Sequence, residues 1–486
     1  MSYESLQYSP TTAQSGKELL RLVPQELWSA FMFLITLSLL GLELPLAYLF
    51  LPAILLTTYI RNRYDFLIQF TILCGAYGFF NESEVFPFKW KDLALLLSVV
   101  AIIIYRRDKV LNRLLLLTGG YIAMLIVFAK MSSESMSIQL LRMRDYCMII
   151  YFMFPMLLFS REAFDIKIFY RKLFTYAYII AIFYCIDSII LGGNILVPRT
   201  HSWSGLYSTY YKIYCDIGAF PRKYPQGLFI LALCIFPALK LYTLQRKHLF
   251  IFALALIVSR TFSIIGGIVL TILFFTGNAM RTFKYLCIGI ILFFAAYHLD
   301  GMMDGQLRVQ QLVGQFTALK NMDDPEAIAE FGTGRMAQII PKVDHLWSLG
   351  KQYMGFGFLH DEKTTNDMFV IKNELYTDIS RSEEVAARVE VTQIQTILDI
   401  GLIGLLLQTL YFIGIYFWVL RPLPYSKSYL IVLVCISLFG LGGFAGLTSH
   451  HGILLVGLCI GTILLATKNK DKTNIASPIG YDAITL

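Results

Sequence analysis

The sequence predicts an all-α fold: a polytopic transmembrane helical bundle of about 14 spans, with one large outer loop and a smaller second one. Three observations carry that expectation. Hydrophobic residues make up 57% of the chain and the mean hydropathy is +0.62, well above an ordinary soluble domain. Apolar runs of about 17 to 25 residues recur along the chain, parted by short charged breaks. Threading those runs so that alternate loops face inward puts Lys or Arg in every inner loop, as bilayer orientation requires.

Taken in order, residues 1–26 form a polar cytoplasmic segment, with no compact apolar run ahead of a small-residue cleavage site. Spans are expected at 27–42 and 44–60, joined by a tight outer turn at Glu43 and Pro45, with Arg61 and Arg63 inside. The span 64–80 leads to an outer loop, and 92–105 returns to the inner Arg106-Arg107-Asp108-Lys109. The span 114–129 is followed by an outer loop ending at Arg142-Met143-Arg144; after 146–159, Arg161, Lys167, Arg171 and Lys172 lie inside. The span 173–191 opens the smaller outer loop, 192–224, and 225–242 closes it. Two short spans, 249–258 and 262–275, are interrupted by Ser259-Arg260-Thr261, and 285–298 completes eleven helices over 27–298. The large outer loop covers 299–393. Spans 394–420, 429–447 and 452–466 make up the last block, 394–466, before a cytoplasmic tail at 467–486. Both termini are expected inside. No internal repeat is visible, which gives no support to an inverted-repeat transporter.

Composition narrows the function classes. The net charge of +8 is spread over span ends, so it reads as topology rather than nucleic-acid binding. The eight cysteines sit mostly in apolar runs without paired spacing and read as small hydrophobic filler. Adjacent His450 and His451 point apart on a helix, and His345 and His360 read as loop histidines, so no metal centre is expected. Phosphate-cradling glycine loops, zinc-protease motifs and nucleophile elbows are lacking.

The informative residues are cations on the outer side, against the orientation rule. They include Arg142, Arg144, Arg199, Lys212, Arg222, Lys223, Arg260, Arg335 and Arg388. Guanidinium groups beside helix ends at that depth match a lipid phosphate or diphosphate. Arg260 splits two apolar runs, where a charge needs a partner or a wet cavity, unless it snorkels to the interface. In 192–224, Arg199 is interleaved with Trp203, Tyr210 and Tyr211, a composition that suits stacking on sugars and equally suits an interfacial aromatic belt.

The central stretch carries a resemblance. Gly334-Arg335 ahead of Trp347, the Gly355-Phe356-Gly357 turn, the polar run into Gly401-Leu402-Ile403-Gly404-Leu405, and the earlier Ser259-Arg260 resemble the O-antigen polymerase and O-antigen ligase superfamily of integral membrane glycosyltransferases. Two departures stand beside it. Ligases of that group carry a histidine where the loop re-enters the membrane, whereas this chain has Arg388-Val389-Glu390-Val391. The arginine-to-glycine spacing of some polymerases, eleven residues, is absent after Arg199, Arg260, Arg335 and Arg388.

The resemblance implies a bacterial inner-membrane enzyme with a periplasmic active face, acting on oligosaccharide repeat units carried by undecaprenyl pyrophosphate. It further implies membrane lipids and a chain-length regulator as partners, and no cofactor or metal. On that reading Arg260 and Arg335 bind the diphosphate, with Arg142, Arg199 and Arg388 in support and Trp203, Tyr210 and Tyr211 against sugars. Glu390 is then the candidate general base or, more plainly, an ion-pair partner of Arg388. The missing histidine favours a polymerase over an O-antigen ligase that transfers polysaccharide to lipid A-core. A flippase for the same lipid is the alternative from another class.

Overall fold

The computed structural model describes residues 18–41, 44–76, 90–105, 108–131, 136–191, 196, 241–259, 279–302, 309–310, 313, 335–358, 371–372, 384–385, 391–441, 446–447 and 449–475. Helix accounts for 84% of them, so the all-α class holds. α1 (Pro24–Gly41) and α2 (Pro45–Arg61) pack together, and α3 (Arg63–Thr71) follows. Asn62 caps α3 by accepting from the amides of Tyr64 and Asp65, and wider turns continue it to Ala76. α4 (Trp90–Ile104) precedes α5 (Lys109–Lys130), which Asp108 caps through the Leu111 amide. α6 (Met136–Cys147) runs through a 3₁₀ stretch, Met148–Phe152, into a short helix, Met153–Leu158. α7 (Ile166–Ile189), α8 (Arg246–Ser259), α9 (Ala279–Met302) and α10 (Arg335–Ser348) come next. α11 (Thr392–Gly414) extends by wide turns to Leu420, and α12 (Ser426–Leu441) and α13 (His450–Ile475) end the order.

Among the described residues, four helices are long and apolar enough to cross a membrane: Lys109–Lys130, Ile166–Ile189, Thr392–Leu420 and His451–Lys468. Shorter apolar helices are Pro24–Leu40, Pro45–Arg61, Gly289–Met302 and Ser426–Gly440. Leu46, Leu49, Leu56 and Ile60 of α2, Ile103 of α4 and Leu116 of α5 are exposed. Such a continuous apolar exterior is costly in water and suited to acyl chains. Residues 225–240 of the span expected at 225–242, and all of the span expected at 262–275, lie outside the described residues.

α13 is the central post: 89% of its apolar window is buried, against 28% for α5. Its Gly457 and Gly461 let it press against the 3₁₀ stretch, since a Cβ there would stand 2.8 Å from the Ile149 carbonyl oxygen and 2.7 Å from that of Phe152. α1, α3 and α7 are tied by buried charge. Lys172 Nζ lies 3.3 Å from Glu26 Oε1 and 3.1 Å from Asp65 Oδ2, and Arg171 donates to Glu26 at 2.8 Å. Lys172, expected as an orienting inner cation, is therefore also an interior ion-pair partner.

Three local expectations need correction. Arg142-Met143-Arg144 are not in a loop but on α6, where buried Gln139, Met143, Tyr146 and Cys147 recur at helical spacing. The large loop contains α10, whose Ile339, Val343 and Leu346 form one face packed on Val391, Ile394, Ile397 and Leu398. Pro341 inside α10 disguises it in the sequence. Tyr242 is not the end of a helix: β2 (Tyr242–Thr243) pairs in parallel with β1 (Glu18–Leu19), which docks the end of the 1–26 segment onto the bundle. β3 (Ile371–Lys372) and β4 (Glu384–Val385) form a small antiparallel pair in the large loop.

Candidate functional site

The two stretches singled out in the sequence, 354–357 and 401–405, meet. α10 is closed off by Gly350, two residues past its end, whose positive φ of 65° lets Lys351 N donate back to the Leu346 carbonyl. The chain then turns and crosses α11 where Gly401 (φ 69°, ψ −176°) interrupts it. In an unbroken helix, Leu402 N and Ile403 N would donate to the carbonyls of Leu398 and Asp399. Instead Leu402 N donates to Gln352 O (2.9 Å) and Ile403 N to Tyr353 O (3.1 Å). The two released carbonyls, Leu398 and Asp399, accept from Phe356 N (2.7 Å) and Gly357 N (2.8 Å). Four backbone bonds thus clasp the turn into the break, and they pair the two amides and two carbonyls that the interruption releases.

The clasp tolerates only glycine at two points. A Cβ on Gly355 (φ 75°) would lie 2.5 Å from the Asp399 carbonyl oxygen, and one on Gly401 would run into the Tyr353 carbonyl.

Asp399 sits at the interruption, 2% exposed. Its Oδ2 accepts from the Tyr146 hydroxyl at 2.7 Å and its Oδ1 from Gln395 Nε2 at 2.6 Å. α6 closes the other side: Gln139 Oε1 accepts from Phe358 N at 2.6 Å, and the Phe358 ring meets Tyr146 edge-on at 5.1 Å. A carboxylate at this depth in an apolar helix needs such donors, which makes Asp399 a candidate functional position. The half-helix that starts after Gly401 has its first amides occupied by carbonyls, so that start is not an anion site.

Below the turn, α10 presents polar groups from its packed side. Lys342 is buried, and burial pushes its ammonium down to about 7 from an ordinary 10.5. The His345 ring stacks on Phe356 at 5.8 Å, while Lys351 Nζ stands 5.5 Å from the same ring. His345 Nε2 and Gln352 Oε1 are buried without hydrogen-bond partners among the described residues.

Cations reach this end of the bundle on α6 and α4. Lys91 Nζ pairs with Asp145 at 3.2 Å in the interior, and Arg144 donates to Asp92 at 2.9 Å on a more open face. Of the residues expected at the site, Arg142 lies on α6 and Arg335 opens α10, with their side chains outside the description. Arg199, Trp203, Tyr210, Tyr211, Arg260, Arg388 and Glu390 lie outside the described residues; Glu390 directly precedes Val391, the N-cap of α11.

No protein-family model and no curated protein matches this chain. The functional reading therefore rests on residues and geometry. Sequence reasoning passed over Asp399, Tyr146, Gln139 and Gln395. Asp399 had a signal, as an acidic residue inside the apolar run 394–420. The others had none, because a Tyr or Gln acquires meaning only from what faces it.

Proposed function

We propose that this chain is a membrane glycosyltransferase of the polysaccharide polymerase kind. It joins undecaprenyl-pyrophosphate-linked oligosaccharide repeat units at the periplasmic face of the inner membrane. An acceptor hydroxyl attacks the anomeric carbon of the donor, the anomeric C–O bond to the lipid diphosphate breaks, and the diphosphate leaves with the bonding pair. The donor's own glycosyl-diphosphate bond supplies the energy. Arg260 and Arg335 stabilise the departing charge, with Arg142, Arg199 and Arg388 around them, and Glu390 takes the hydroxyl proton. Trp203, Tyr210 and Tyr211 lie against sugar faces in this scheme.

The observation that carries the reading is the clasp. A polar segment between apolar helices is folded back onto a broken helix at a buried carboxylate, and arginine-bearing helices begin or end beside it. The break in α11 also favours a second reading, because interrupted membrane helices are a device of transporters. A flippase for the same lipid would use the same cations without chemistry.

Complementation of a polymerase-deficient strain tests the assignment. Glu390→Gln and Arg260→Ala are each expected to cut polymer yield by about 100-fold or more at normal protein level. Unchanged polymer length and yield in both variants would refute these roles.

A further inference from the structure

The ion pairs between α4 and α6 are crossed and unequal. Neighbouring residues on α4, Lys91 and Asp92, meet neighbouring residues on α6, Asp145 and Arg144. The Lys91–Asp145 pair is sealed, with side chains 10% and 6% exposed; the Arg144–Asp92 pair is open, at 23% and 41%. The sealed pair fixes the two helices against each other, because separating buried charges is costly. The open pair contributes little to stability and is easily exchanged for another anion.

Arg144 is also incompletely used. It gives Nη1 to Asp92, while its Nε is buried with no acceptor among the described residues. A guanidinium binds best through parallel donors to two oxygens, and a single contact to one carboxylate oxygen leaves that capacity open. Tyr146, two residues on, hydrogen-bonds Asp399 at the interrupted helix, which ties Arg144 to the same end of the bundle as the clasp.

We propose that Arg144 is a binding residue for a phosphate or diphosphate oxyanion, and that Asp92 is an internal stand-in which yields to it. The diphosphate class rests on the function proposed above; the exchange itself rests on the geometry of the crossed pairs. Asp92 holds the guanidinium extended when the site is empty. As Asp92, already 41% exposed, turns out to solvent, the Arg144 side chain moves so that its buried Nε and a terminal nitrogen together take the incoming oxyanion. The Lys91–Asp145 pair keeps the helices in place during the swap.

The experiment is binding to the full chain in phosphatidylcholine nanodiscs, with inorganic pyrophosphate in solution and a long-chain isoprenyl diphosphate in the bilayer as separate probes. Arg144→Gln is expected to weaken at least one probe about tenfold or more, and Arg144→Lys to weaken it less. Asp92→Asn is expected to tighten binding several-fold, by removing the competing carboxylate. Dependence on Arg144 for both probes assigns the site to the diphosphate group itself; dependence for the isoprenyl probe alone assigns it to a lipid-borne headgroup. The inference is overturned if Arg144→Gln binds both probes as the parent does. It is equally overturned if Asp92→Asn loses binding, since the pair would then be a structural brace. Should Arg144→Gln not fold, the Asp92→Asn result decides alone. Wild-type Arg144-dependent binding without chain growth would remove the polymerase reading and leave this one standing.

Discussion

Lys342 shows how one residue can make stability depend on pH. It lies on the same face of α10 as Ile339, Val343 and Leu346, and burial holds its ammonium at about 7, below the 10.5 of a free lysine. Its folded value is below its unfolded value, so between these limits the unfolded chain binds more protons. Burying the charge costs most below about pH 7, and that cost fades as pH rises toward 10.5. The thermal midpoint should therefore rise between about pH 7 and pH 9.5, and Lys342→Met should flatten the rise. An identical pH profile in the variant would show that another group sets it. Asp399 is a buried carboxylate kept in place by two donors, Tyr146 and Gln395.

At the scale of elements, the break in α11 is the decisive feature. Gly401→Ala places a methyl group against the Tyr353 carbonyl and at a left-handed φ, so the clasp must open or shift. A loss of about 3 kcal/mol or more is expected in denaturant titration, with proteolytic cutting in 351–358. Gly414→Ala is the matched control: its Cβ meets nothing within 4 Å, its backbone is helical, and a gain of up to about 1 kcal/mol follows. Equal effects of the two changes would contradict the clasp.

Much of this level was legible in the sequence and some was not. Length and hydropathy located α1, α2, α5 and α11 to within about five residues, because lipid contact enforces long apolar runs, but missed the charged first turns of α7, which starts at Ile166 rather than 173. α6 and α10 were hidden, since a helix with Gln139, Arg144 and Asp145, or with Pro341 and Lys342, reads as a polar loop until its packing partner is known. The Gly355-Phe356-Gly357 turn and the Gly401 run stood out as motifs, but their mutual pairing did not, because it exchanges backbone bonds and leaves no side-chain signature. Gly457 and Gly461, spaced four apart, were readable as a close helix contact on a general rule.

For the whole molecule, the apolar exterior and the four helices long enough to span place the chain in a membrane. Among the described residues, charge inside that bundle includes the braced set Glu26, Asp65, Arg171 and Lys172, and the clasp with its flanking crossed pairs. The first set couples three helices and needs no ligand to explain it. The second lies where a polar segment, an interrupted helix and two cation-bearing helices converge, which is why function is sought there. The most direct measurement is incubation of the purified protein in proteoliposomes with a fluorescent lipid-linked repeat unit, separating products by length. The account predicts a ladder of products longer than one repeat, with free lipid diphosphate released as they grow. Movement of single units across the bilayer with no longer product would contradict it.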